Sequence, residues 1–144
     1  MRWRFGISVA IVFILLFLLG WLVHGTWLKD DYARLSNLMR PMPEVWIRSP
    51  LMFLAQLCSA FGFVWIYVRG KEDKPWLGQG VRFGVAVALL ATIPVSLIHY
   101  VNMPFPHDLI LKQLSCDVAT VVFLGIVVAW INRSRSLESR GQNG

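Results

Sequence analysis

Apolar residues run almost unbroken through four stretches of this chain, residues 5–23, 46–68, 81–101 and 109–131. Each has the length, about 20 residues, that a helix needs to cross a hydrocarbon core of about 30 Å. Lipid offers no partner to backbone polar groups, so a continuous apolar run of this length folds as a helix that satisfies its own hydrogen bonds. The pattern predicts an all-α, integral membrane four-helix bundle, one membrane domain over residues 1–144, with residues 132–144 as a tail.

Between the first two stretches the period changes. Trp27, Leu28, Tyr32, Leu35, Leu38, Met39 and Met42 recur at helical spacing, with Lys29, Asp30, Asp31, Arg34, Asn37 and Arg40 on the opposite face. This predicts an additional amphipathic helix over residues 27–42, lying in the interface. Pro41 and Pro43 would stop it, and Trp46 and Arg48 would anchor the second span. Residues 69–80 are charged, then Pro75, the interfacial Trp76 and glycines. Turn chemistry accounts for them: Gly78 and Gly80 have neither the preceding strand nor the following Lys-Ser/Thr pair of a phosphate loop.

Small residues recur every fourth position on the third stretch, at Gly80, Gly84 and Ala88, and again on the fourth at Gly125 and Ala129. That spacing lets helices approach closely, within the bundle or across a homo-oligomer seam. Asn102 to His107 includes two prolines and forms a stiff hairpin turning near residues 104–105. Thr92 then lies level with Asp117, and Ser96 with Gln113.

Charge sets the orientation. Of 14 Lys and Arg, nine (Arg2, Arg4, Arg69, Lys71, Lys74, Arg82, Arg133, Arg135 and Arg140) fall on one side. Lys29, Arg34, Arg40 and Arg48 fall on the other, with Lys112 just inside the fourth span. The asymmetry predicts both termini in the cytoplasm. The basic start resembles a signal peptide, but the apolar run is too long and residues 20–24 make a poor cleavage site, so the first span is expected to be retained. The net charge of +6 reflects span-end cations. No basic stretch is interleaved with aromatics, so nucleic acid is not an expected partner. The lipid bilayer is, and further copies of the chain or other membrane subunits are candidates. Compact loops suit a bacterial inner (plasma) membrane.

The polar residues inside the spans carry the functional question. Asp117 sits near the middle of the fourth stretch, where a carboxylate costs about 2.5–3.5 kcal/mol to insert. Gln113, Asp117 and Thr120 share one helix face; Thr92, Ser96 and His99 share a face of the third span, and Gln56 and Ser59 of the second. Such groups are expected to meet in a seam, with Pro94 freeing the carbonyl of Leu90 nearby. The first span offers only apolar residues at that depth, around Phe13 and Ile14. Lys112 is expected to snorkel outward, which leaves Asp117 without a cation, and burial then favours its neutral, protonated form.

Several chemistries drop out. His24, His99 and His107 lie near outer span ends without close His-Cys or His-Glu spacing, so no metal and no cofactor is expected. Cys58 and Cys116 form no Cys-x-x-Cys and read as small buried apolar side chains. No nucleophile setting or carboxylate pair marks a catalytic residue, so no catalytic residue is predicted and an enzyme ranks behind the other readings.

The run from Trp65 to Gly84, with His24-Gly25, residues 29–32 and Met39-Arg40-Pro41, resembles small four-pass bacterial inner-membrane proteins of uncharacterised activity. The resemblance implies the architecture and no activity. Small multidrug transporters also have four helices, but their acidic residue lies in the first span, which has no carboxylate here. The leading functional expectation is a small polytopic inner-membrane protein of unknown activity, an assembly or interaction subunit. The alternative is a proton-coupled small-solute carrier using the intramembrane aspartate. A membrane enzyme or a haem- or metal-binding subunit is a third reading.

Overall fold

Three prolines start three of the helices. Pro41, Pro75 and Pro106 are the N-caps of α3, α4 and α6, with φ of −56°, −51° and −59° and extended ψ of 143°, 125° and 144°. A proline ring fixes φ and lacks the N–H that would continue a preceding helix. The computed structural model describes residues 2–133. In order they form α1 (Arg2–Gly20), a π-helical turn (Trp21–Trp27), α2 (Lys29–Ala33), α3 (Met42–Gly70) and α4 (Trp76–Val87). A second π turn (Ala88–Thr92), α5 (Ile93–Asn102) and α6 (His107–Ile131) follow. Among the described residues there is no strand. Most of the expected tail, from residue 134 on, lies outside the described residues.

Four continuous helical units, Trp3–Trp27, Met42–Gly70, Trp76–Asn102 and His107–Ile131, are long and apolar enough to cross a membrane. The chain is a multi-pass, all-α helical bundle. Its outward faces carry Trp3, Leu18, Trp21, Ile47, Leu54, Ile66, Leu90 and Val101, side chains that belong against hydrocarbon rather than water. Each helix outruns its apolar stretch because the prolines and span-end polar residues, rather than the loss of hydropathy, end it. Pro50 lies inside α3 and cannot bond the carbonyl of Trp46; the Ser49 hydroxyl donates to that carbonyl at 2.8 Å instead.

Aromatic pairs set the antiparallel order. Phe5 meets Phe61 edge-on at 5.5 Å and Phe17 stacks on Phe53 at 4.7 Å, joining α1 to α3. Phe83 of α4 lies between Phe63 and Tyr67 of α3. The small residues serve packing within the bundle. A Cβ on Gly84 would lie 2.5 Å from the Val122 Cα, and one on Gly80 would lie 2.8 Å from the Gly125 carbonyl oxygen and 2.9 Å from the Ala129 Cβ. Gly84 facing Gly125 and Gly80 facing Ala129 is the register that a turn at residues 104–105 sets.

The bundle has a dry half and a polar half. Val12, Ala60, Val64, Tyr67, Leu124, Val128 and Ala129 form the core at the end holding the described termini. That end is fastened by polar contacts. Buried Asn132 donates to the Ser8 hydroxyl at 2.9 Å, Ser8 donates to the Arg4 carbonyl at 2.8 Å, and Arg4 reaches the Arg133 carbonyl at 3.0 Å.

Two expectations are corrected. The helix predicted over 27–42 is confined to Lys29–Ala33. Beyond it Leu35 bonds back to Tyr32 and Leu38 to Leu35, successive i→i+3 turns in place of a helical ladder. Leu28 is fully buried and Asp31 and Tyr32 are tied to the bundle, while Trp27, Leu38, Met39 and Met42 stay exposed, so only the start of the stripe docks on protein. Cys58, expected to be buried, is exposed, because Ala60, Val64 and Tyr67 occupy the inner face of α3; Cys116 is half-buried.

Candidate functional site

The polar half of the bundle holds an open cleft of about 500 Å³ bordered by all four spans. Every side chain predicted for the seam lines it: Gln113, Asp117 and Thr120 from α6, Thr92 from the second π turn, Ser96 and His99 from α5, and Gln56 and Ser59 from α3. The stiff 103–106 connection holds the third and fourth spans in antiparallel register, so two polar stripes of the same spacing meet. Ser96 is the most buried of the group at 7% exposure. The first span contributes Leu16, Leu19, Gly20, Val23 and His24.

His24 overturns the expectation that Asp117 has only apolar neighbours on the first span. Its Nε2 lies 3.7 Å from Asp117 Oδ1, with side-chain exposures of 38% and 29%. That is an ion-pair distance rather than a hydrogen bond, so the carboxylate keeps accepting capacity toward the cleft. Two features bring the residues together. Ser8 to His24 on the first span and Asn132 to Asp117 on α6 are nearly equal lengths of helix, so the fastening at one end sets the register at the other. The first span also continues as a π-helical turn, with the Leu28 N–H bonded to the Val23 carbonyl at 2.9 Å. The wider turn lies where His24 must reach the bundle. Gly25 lets the Trp21 ring fold against the backbone, since a Cβ there would meet Trp21 at 3.1 Å. The Thr26 hydroxyl donates to the Leu22 carbonyl one turn earlier. The second π turn, with Ile93 bonded back to Ala88, precedes Pro94 and borders the same cleft. A π turn tolerates the proline that an α ladder would oppose.

The short α2 lies at the end of the bundle opposite the described termini. Lys112, expected to snorkel outward, pairs with Asp31 at 3.1 Å. Asp117 lies five residues further along α6, about 7.5 Å below that pair at 1.5 Å per residue. The aspartate thus stands closer to the α2 end than its central position in the apolar run implies.

The Tyr32 hydroxyl is 2.9 Å from His24 Nδ1. Burial, then the negative charges of Asp117 and Asp31, push the Tyr32 phenol up to about 12 from 10.0. A neutral phenol donates to Nδ1, which places the imidazole hydrogen on Nε2, facing Asp117. Tyr32, His24 and Asp117 then stand in line from the α2 segment into the cleft, joined by one hydrogen bond and one 3.7 Å approach. The stability that the neutral phenol brings is complete below about pH 10 and is lost as pH rises through about 12, because the fold favours the protonated form. A spectrophotometric titration of the wild type minus Tyr32→Phe is expected to show one tyrosine ionising near pH 12. Ionisation near pH 10 would contradict the buried donor.

The other histidines do not join this line. His107 bonds to the Tyr100 hydroxyl at the hairpin, and His99 lines the cleft from α5. Among the described residues no three His, Cys, Asp or Glu side chains gather as a metal site. Sequence reasoning missed His24 and Tyr32 as site residues. Their spacing of eight is a helical one, but the turn between them hid it. No protein-family model, curated protein or solved structure matches the chain, so its function rests on the site itself.

Proposed function

We propose that this protein is a proton-coupled carrier for a small polar solute, residing in a bacterial inner membrane with both termini cytoplasmic. The observation that carries the reading is the cleft in which Asp117 faces His24 while amide and hydroxyl side chains from three spans line the remaining walls. A carboxylate in a membrane bundle is costly unless it serves a pathway or a partner. Asp117 has a titratable partner and open space beside it. The dry core closes the opposite half, so a solute reaches the cleft from the α2 end, and transport requires the helices to rearrange. Both π turns border the cleft, and such turns are places where backbone bonding changes register at low cost. The assembly-subunit reading has less support, because Gly80, Gly84, Gly125 and Ala129 are used in packing α4 against α6.

The test is reconstitution in vesicles with a trapped pH indicator and a panel of small amines, amino acids, sugars and carboxylates. Solute-dependent proton movement is expected for at least one class. Folded protein that moves no protons with any of them would refute the carrier. Orientation has its own check. A reporter active only in the cytoplasm is expected to work when fused after Gly144 and to be silent when inserted near Asn37; the reverse pattern would invert the topology.

A further inference from the structure

The end of the bundle opposite the cleft carries a second constellation. Three adjoining cavities there share one side chain, Lys71. The largest, about 360 Å³, lies between the end of α3, the start of α4 and the end of α6, against Lys71, Lys74 and Arg133. Its neighbours add Arg82 on one side and Arg4 on the other. Five cations thus border these three cavities, opposed by Glu72 and Asp73. Lys74 pairs with Glu72, whose carboxyl that contact holds below its ordinary range, so the pair is internally neutralised. Lys71 donates to the Asn132 carbonyl at 3.3 Å, a long bond to a neutral acceptor, and among the described residues no carboxylate pairs with it. The walls change character toward the spans: Phe5 and Val68 continue one side cavity, and Ile66 and Phe83 the other. A charged hollow at the helix ends, flanked on the span side by these apolar side chains, has the chemistry of a phosphate head joined to acyl chains.

We propose that this hollow is a binding site for an anionic phospholipid, with the phosphate beside Lys71 and the acyl chains leaving past Phe5 and Val68 on one side and Ile66 and Phe83 on the other. The shared ligand chemistry is a phosphate anion, and these apolar side chains favour its lipid source over free phosphate. The site is independent of the Asp117 cleft and of the transport reading.

The experiment is native mass spectrometry of the full chain in mild detergent, titrated with phosphatidylglycerol, with phosphatidylcholine of the same acyl chains, and with inorganic phosphate. Phosphatidylglycerol is expected to be retained over phosphatidylcholine. Each cation removed at the site is expected to weaken it about fivefold, the effect of one basic residue near an anionic surface. K71Q tests the centre. K74Q and R82Q test the rim without touching the bond to Asn132, so the proposal stays testable should K71Q fail to fold. R40Q, at the opposite end of the bundle, removes an equal charge and is expected to change nothing. Equal retention of the two lipids would overturn the site. So would an equal loss in R40Q, which would mean diffuse charge attraction, or tighter binding of inorganic phosphate than of the lipid.

Discussion

Asp117→Asn is expected to abolish solute-dependent proton movement while leaving the bundle folded. Asparagine keeps the shape and the ability to hydrogen-bond but cannot titrate. Were Asp117 only a packing group, the change would cost about 1 kcal/mol, the scale of one interhelical hydrogen bond in a membrane, and would leave any transport intact. If Asp117 carries the proton beside His24, the loss is complete rather than partial, because among the described residues no second carboxylate lines the cleft. His24→Gln removes the other half of the 3.7 Å pair. Groups that act as a unit are not additive, so the double variant is expected to be no worse than Asp117→Asn alone. Vesicle assays on the three proteins, with unfolding curves run in parallel, check both halves. An asparagine variant that moves protons at the wild-type rate would end the proposed mechanism.

Gly84→Val is expected to give a large loss of stability by forcing apart the small-residue seam. A Cβ at Gly84 stands 2.5 Å from the Val122 Cα and 3.0 Å from the Val121 carbonyl oxygen. Both are backbone atoms, so the conflict is relieved only by moving α4 away from α6. Helix association in lipid rests on close van der Waals packing rather than on expulsion of water, so separation removes the attraction itself. Overpacking of this kind costs about 3 kcal/mol. Gly62 provides the contrast: nothing lies within 4 Å of a Cβ built there. Gly62→Ala is therefore expected to be neutral or to stabilise by about 0.5–1 kcal/mol through helix propensity. Unfolding by titration with a denaturing detergent against a mild one separates the two. Equal effects would mean that α4 and α6 do not pack as described.

The seam and the α1–α6 fastening also explain how a distant contact sets the site. Asn132 bonded to Ser8 fixes the slide of α6 along the first span, and the near-equal helix lengths carry that register to His24 and Asp117. Neither Ser8 nor Asn132 stands out in the sequence, since a lone serine in an apolar run and an asparagine at its end are ordinary residues there.

The sequence by itself determined what local physics controls. Four apolar runs of bilayer length became four helices, since lipid leaves the backbone no other partner. The period of the polar residues placed Gln113, Asp117 and Thr120 on one face and Thr92, Ser96 and His99 on another. The two-proline hairpin fixed which of them met. The spacing of Gly80, Gly84 and Gly125 announced the close approach of α4 and α6. Tertiary structure alone decided what depends on register between segments distant in the chain. The pairing of His24 with Asp117 needs the slide of the first span against α6 and a π turn, and hydropathy carries neither. The 27–42 stripe read as an interfacial helix because periodicity reports which residues share a face, not what covers that face. Leu28 is buried, Asp31 is tied to Lys112 and Tyr32 to His24, while Trp27, Leu38, Met39 and Met42 stay exposed, so tertiary contacts hold the start of the segment and the helix ends at Ala33.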